Sequence, residues 1–295
     1  MTSSSADSPV GPPPTDIHAV LAEVLPSVLP GAVIDTEAGE ILVPLGADRA
    51  RVSTRSLQTA CRGVPASTWP EIARQWLAEI RAQVDSAIAT GPSRDISRLR
   101  AQAVPKGPEA PPGLSSPLNS AFDLVAVEDR ESSVQLLQQA DLDAMGISAE
   151  GALRMALDQT ISEVLVHLDV RPHPLPNGES VLLAGADGVP YVSAGVTSIP
   201  QLAGVDLPYG ALFAVPRHSV ILILPVRSWA SLGAVPALAD FVEAQYRGAS
   251  DPCSAQIYWF TGDDAFPVGT EPDESGGDRL VLAPELQSLA DRLHG

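Results

Sequence analysis

Ala211-Leu212-Phe213-Ala214-Val215-Pro216-Arg217-His218-Ser219-Val220-Ile221-Leu222-Ile223-Leu224-Pro225 holds two apolar runs around a short polar break. Ala211 to Val215 and Ser219 to Pro225 read as two strands of a hairpin, with Pro216-Arg217-His218 as its turn. Upstream, Ser180 to Ala184 and Val189 to Thr197 flank Gly185-Ala186-Asp187-Gly188. The Asp-Gly pair predicts a second hairpin there. Strands that arrive in hairpins, rather than alternating with helices, predict an antiparallel sheet. The fold class expected is therefore α+β, with helices packed on one side of the sheet.

The rest of the chain fills in around these hairpins. Asp16 starts a short helix through Leu25, and Pro26 is expected to end it. Glu40 to Leu45 and Arg49 to Thr54 read as strands. Thr68-Trp69-Pro70-Glu71 has the pattern of a capping box, with Ile72, Ala73, Trp76, Leu77, Ile80, Val84 and Ile88 on the apolar face of the helix that follows. Gly91-Pro92 stops that helix. Phe122 to Val127 and Ser133 to Leu137 read as strands. Ser148 caps a helix carrying Leu153, Leu157, Ile161, Val164 and Leu165, and Val166 to Arg171 reads as a strand. Pro236 to Tyr246 is a helix, Gln256 to Phe260 a strand, 263–278 an acidic loop and Leu280 to Leu282 a short strand. Pro284 opens a last helix. Residues 1–14 have the composition of a disordered tail. Residues 104–118 carry five prolines and two glycines and are expected to link an N-terminal α/β subdomain, 15–103, to a C-terminal α+β domain, 119–295.

Composition narrows the function classes. The formal charge is −18, from 36 Asp and Glu against 18 Lys and Arg. Binding to nucleic acid or anionic lipid through the bulk surface is disfavoured, because both need clustered cations. The same charge favours solubility and basic partners. Cys61 and Cys253 lie far apart, without a C-x-x-C, so they form neither a disulfide framework nor a zinc knuckle. Met1 to Thr15 lacks the basic and apolar regions of a signal peptide. The longest apolar run, Ser219 to Val226, is far short of the ~20 residues of a membrane helix. The expected compartment is a reducing cytoplasm.

Motifs for chemistry are sparse. Tyr191-Val192-Ser193-Ala194-Gly195 approaches G-x-S-x-G, but the first glycine is missing and Ser193 reads as an ordinary strand serine. No histidine pair sits at i, i+4, and His167 and His173 alone do not make a metal site, which needs three or four convergent ligands. There is no phosphate-binding glycine loop, and the single lysine, Lys106, lies among prolines. Asp263, Asp264, Glu271, Asp273 and Glu274 lack the calcium-loop pattern and read as solvated acids. No cofactor is implied. The spot with most chemical potential is the turn of the first hairpin, where Arg217 and His218 stand together at the end of a sheet. Tyr191 and Ser193 from the other hairpin are the residues expected to join them.

Several of these pieces recur in order in a known family. The segment Arg51-Val52-Ser53-Thr54-Arg55-Ser56-Leu57 comes first, then Asp141-Leu142-Asp143-Ala144-Met145-Gly146-Ile147-Ser148 and Ala152 to Leu157. Tyr191-Val192-Ser193-Ala194 and Ala214-Val215-Pro216-Arg217-His218 follow. From about Asp16 to Phe260 this order resembles an uncharacterised bacterial family of domains of unknown function, best known from Firmicutes. The sequence departs from it at His218, where the family has an acidic residue after the Pro-x-Arg turn. It departs again at Asp158-Gln159, where the family has an asparagine. The resemblance implies an α+β protein in the cytoplasm. It carries no activity and assigns no catalytic residue.

Three functions follow as expectations. The first is a non-catalytic interaction or accessory protein, meeting a basic protein or peptide through the hairpin end (Arg217, His218) or the acidic face. The second is a hydrolase-like enzyme with a pocket assembled from Tyr191, Ser193, Arg217 and His218. The third is an acidic immunity protein that mimics nucleic acid against a basic toxin.

Overall fold

A computed structural model describes residues 16–36, 39–45, 48–90, 95–107, 113–130, 133–272 and 278–294. The chain forms two compact units, Met1–Gly91 and Pro92–Gly295. The division falls ahead of the Pro-rich stretch 104–118 rather than within it. The disordered tail expected over 1–14, and the Gly91-Pro92 helix stop, lie outside the described residues.

In the first unit, α1 (Ile17–Val28) is capped by Asp16, whose carboxylate accepts from His18 N. Pro26 does not end the helix, which runs on to Val28. Proline near a helix end forgoes one N–H bond, and the apolar face of Val20, Leu21, Val24 and Leu25 is buried in return. Three antiparallel strands follow, β1 (Val33–Asp35), β2 (Glu40–Leu45) and β3 (Asp48–Ser53), in the order β1-β2-β3. Then come α2 (Arg55–Cys61) and α3 (Trp69–Thr90). Ala73, Leu77 and Ile80 of α3 close a core with α1, Ile41 and Val43. That is the apolar face expected for this helix; Ile88 lies where side chains are not described. The capping box does not form. Ala66–Thr68 is a 3-10 turn running straight into α3, so the Thr68 hydroxyl turns back to donate to the Pro65 carbonyl at 2.7 Å.

The second unit holds two antiparallel sheets. The smaller is built on β6 (Phe122–Arg130). Along one edge of β6 runs β4 (Leu99–Pro105). Along the other run β5 (Ser115–Pro117) and then β7 (Ser133–Leu136), end to end. The prolines of 104–118 thus join two edge strands of one sheet. Pro105 and Pro117 sit at the strand ends, where a missing N–H costs no central rung. Next come α4 (Gln139–Met145), which the sequence reading passed over, and α5 (Ala149–Glu163), with Ser148 Oγ accepting from Gly151 N as its cap. The expected strand at 166–171 starts only at Val170, because Leu165–His167 is a 3-10 turn.

The larger sheet is assembled from β8 (Val170–Pro174), β9 (Ser180–Gly185), then past α6 (Ile199–Ala203) β10 (Ala211–Arg217) and β11 (Val220–Pro225). Past α7 (Trp229–Leu232) and α8 (Val235–Arg247) come β12 (Ile257–Phe260), β13 (Ala265–Pro272) and β14 (Asp278–Leu282), and α9 (Pro284–His294) closes the unit. Its order is β14-β13-β12-β10-β11-β9-β8. The class is α+β, as the hairpin pattern predicts.

Three expectations change. The β10–β11 hairpin is present, but Pro216 lies inside β10 at a register shift and the turn is His218-Ser219. The second hairpin is absent. Both edges of β9 are taken, by β8 and β11, so 189–197 has no edge to pair with, and Val192–Ser198 coils into a 3-10 helix instead. The acidic loop of 263–278 is in large part β13.

The two faces of the larger sheet are both buried. Leu212, Ala214, Leu222, Leu224 and Trp259 pack with α7, α8 and α9. Phe213, Val215, Ile221, Ile223 and Tyr258 pack with the 3-10 segment, α6 and Phe122 of the smaller sheet. Helices thus cover one face as expected, and the other face is covered too.

Candidate functional site

The outer edge of β4 decides what the candidate residues do. In an antiparallel ladder every second N–H points away from the partner strand. On β4 these are Ala101 and Ala103, and buried hydroxyls meet them. Thr160 Oγ1 accepts from Ala101 N at 2.8 Å while donating to the Ala156 carbonyl. Ser193 Oγ accepts from Ala103 N at 3.2 Å. Between them, Gln102 Nε2 donates to the Pro190 carbonyl. Without these partners the edge would be an unsatisfied row of buried donors.

Ser193 is also tied to the hairpin turn. Its N–H donates to the His218 carbonyl at 2.8 Å, and its Oγ lies 3.3 Å from His218 Nδ1. The hydroxyl accepts from Ala103 and has both a proton and a second lone pair to offer the imidazole, so it can partner Nδ1 in either neutral tautomer. The turn is held from behind by Asp251. His218 N donates to the Asp251 carbonyl and Ser219 N donates to the Asp251 carboxylate at 2.8 Å.

The structure therefore brings together two of the four candidate residues. Ser193 and His218 touch. Tyr191 is buried in a separate cluster with Val125 and Val127. Burial raises its phenol pKa, and the Asp129 carboxylate adds to the shift. Arg217 ends β10, half-buried and bridged to Pro252, and its Nε has no hydrogen-bond partner among the described residues. A surface cleft of about 380 Å3 lies elsewhere, between the start of β9 and the end of β11, and none of the four lines it.

Ser193 and His218 with Asp251 have the residue types of a catalytic triad without its arrangement. Ser193 is fully buried. The serine meets Nδ1, the nitrogen a triad reserves for the carboxylate, and the carboxylate is occupied by a backbone N–H. The hydrolase expectation is left with no accessible nucleophile at Ser193. Cys253 is half-buried, and burial raises its thiol pKa, so the reactive thiolate is disfavoured. Among the described residues no group of His, Cys, Asp and Glu is placed to hold a metal ion. Asp264 accepts from Ser120 N and Ser120 Oγ, both at 2.7 Å, and Glu271 pairs with Arg279. Asp264 is thereby tied to the 119–122 turn, while Glu271 and Arg279 form an exposed surface pair.

Burial holds the His218 pKa below the ordinary value of 6.5, with Asp251 partly opposing. As pH falls through about 6.5 the unfolded chain takes a proton that the folded turn refuses, so stability is lost on the acid side. Urea midpoints are expected to drop between pH 7.5 and 5.5, and His218→Asn should flatten that drop. An equal drop in the variant would exclude His218 as its source.

The sequence reading missed Thr160 and Asp251. Thr160 has a weak signal: it continues the buried Ala152-Ala156 row at the same i, i+4 spacing. Asp251 has none, being a loop residue brought in by the return of the chain. No protein-family model matches the chain, and no curated protein or solved structure matches it.

Proposed function

We propose that the chain is a non-catalytic interaction protein whose Pro92–Gly295 unit meets a basic protein partner through its acidic surface. The observation that carries this reading is the use made of Ser193 and His218. The residues most apt for chemistry hold an edge strand and a turn in place, so what the unit offers outward is charge. It carries 26 of the 36 acidic residues against 12 of the 18 basic ones. Such an excess speeds encounter with a basic surface and makes affinity depend on salt. No helix among the described residues is long and apolar enough to cross a membrane.

The test is capture on the immobilised chain at about 50 mM and about 500 mM salt, with each retained protein then purified and its affinity measured directly. The expected result is a basic partner whose purified form binds at least about tenfold more weakly at the higher salt. A purified partner indifferent to salt, or no partner at low salt, would count against the reading.

A further inference from the structure

The cleft between β9 and β11 has a cause in the sequence. The β9–β11 ladder runs from Val220↔Gly185 to Ile223↔Leu182 and stops, although β9 reaches Ser180 and β11 reaches Pro225. Pro225 has no N–H, so the next hydrogen-bonded rung, toward Ser180, lacks one of its two bonds. Each strand end stays paired on its far side, Ser180 with Pro174 and Pro225 with Ala211. The result is a gap inside a seven-stranded sheet, bounded by two strand ends that each have backbone groups to offer.

Leu182, Ala203, Val205 and Leu224 give the cleft apolar walls, and Arg227 and Glu179 also line it. Val205 is a large apolar side chain left exposed. Arg227 is exposed and makes no ion pair among the described residues, in a unit where acids exceed bases by more than two to one. An arginine without a carboxylate, beside apolar walls and open strand ends, matches a chain terminus. The carboxylate takes the guanidinium in a bidentate pair, the last side chain takes the apolar wall, and the backbone takes the strand ends. The volume lies at the lower end of ligand clefts, about 300–1,000 Å3, and suits a chain end better than a folded element. Glu179 lines the cleft itself, and Asp206 lines the adjoining surface next to Val205.

We propose that this cleft captures the C-terminal end of a partner protein, with an apolar last residue whose free carboxylate meets Arg227 and a basic residue upstream meeting Glu179 and Asp206. This rests on the reading of the chain as a binding protein for a basic partner, and adds the place and chemistry of recognition.

The probe is a pool of fluorescent pentapeptides ending in Leu, Val or Phe, with Arg or Lys at the third and fourth positions from the end. Each is made as the free acid and as the C-terminal amide. Binding to the full chain is read by polarisation, with thermal midpoints recorded to confirm that Arg227→Ala is folded. Free acids are expected to bind at least about tenfold tighter than amides, and Arg227→Ala should abolish that preference, a loss of about 1.4 kcal/mol or more. The proposal is overturned if no free acid binds up to about 1 mM, if acids and amides bind alike, or if Arg227→Ala keeps the preference. Salt-sensitive binding of acids and amides alike would overturn this site while leaving the acidic-surface reading standing. A carboxylate preference that salt does not alter would support the site and count against that reading.

Discussion

Gly210→Ala is expected to destabilise the Pro92–Gly295 unit by about 4 kcal/mol, more than Gly188→Ala does. Gly210 adopts φ +74°, in the left-handed region, just before β10. An alanine Cβ there would stand 1.9 Å from the Phe260 carbonyl oxygen and 3.1 Å from Trp259 Nε1. The obstacle is backbone of the neighbouring central strand, which cannot swing aside as a side chain would. Gly210 also accepts from Val226 N and donates to the Leu207 carbonyl, and next to it Trp259 Nε1 donates to the Tyr209 carbonyl. Left-handed strain of about 1–2 kcal/mol adds to steric overlap of about 1–3 kcal/mol, so the loss should reach about 4 kcal/mol. Gly188→Ala is the matched control. Its φ is +75° and nothing lies within 4 Å of the added Cβ. It should lose only the backbone part, about 1–2 kcal/mol. Calorimetry of both variants reads the difference, and equal losses would show that strain alone matters at Gly210.

Phe122→Ala should cost nearly as much and weaken one contact in particular. Phe122 belongs to the smaller sheet, yet its ring meets Tyr258 at 4.8 Å and Phe213 at 5.9 Å, both on the larger. It is fully buried. Deleting such a ring costs about 3–5 kcal/mol. The loss falls where the two sheets meet, so hydrogen exchange should speed up first in β6 and in the 3-10 segment rather than in α8 or α9. Uniform acceleration across the unit would mean that the sheets unfold together however Phe122 packs.

These two sites also show what a sequence makes legible. Ala211 to Pro225 announces a hairpin because two apolar runs flank a polar break, and the hairpin is there. The same runs carried a second message. Neither alternates polar with apolar, and a strand covered on one face only should alternate. Leu212 and Phe213 point into different cores, so both faces had to be buried. Val189 to Thr197 misled for the opposite reason. Its valines suit a strand, but propensity cannot reveal that β9 has no free edge. Thr68 misled because a cap depends on the turn before it, and the 3-10 turn of Ala66–Thr68 makes Thr68 part of the helix entry. The apposition of Ser193 and His218 was legible as residue types on neighbouring segments. Their burial was not, because the covering strand β4 comes from 90 residues earlier in the chain. Arg227 passed unnoticed, since a lone arginine carries no motif, and only the ladder stopping at Pro225 gives it a cleft.

The most direct test of the account is the stability of Ser193→Ala. If the hydroxyl is structural, its loss strands Ala103 N–H and removes the partner of His218 Nδ1. Urea unfolding of the full chain should then report a loss of about 1–3 kcal/mol, the cost of a buried unsatisfied donor, with affinity for a basic partner unchanged. A Ser193→Ala protein as stable as the wild type would contradict the account, because a hydroxyl that holds nothing in place would be free for chemistry.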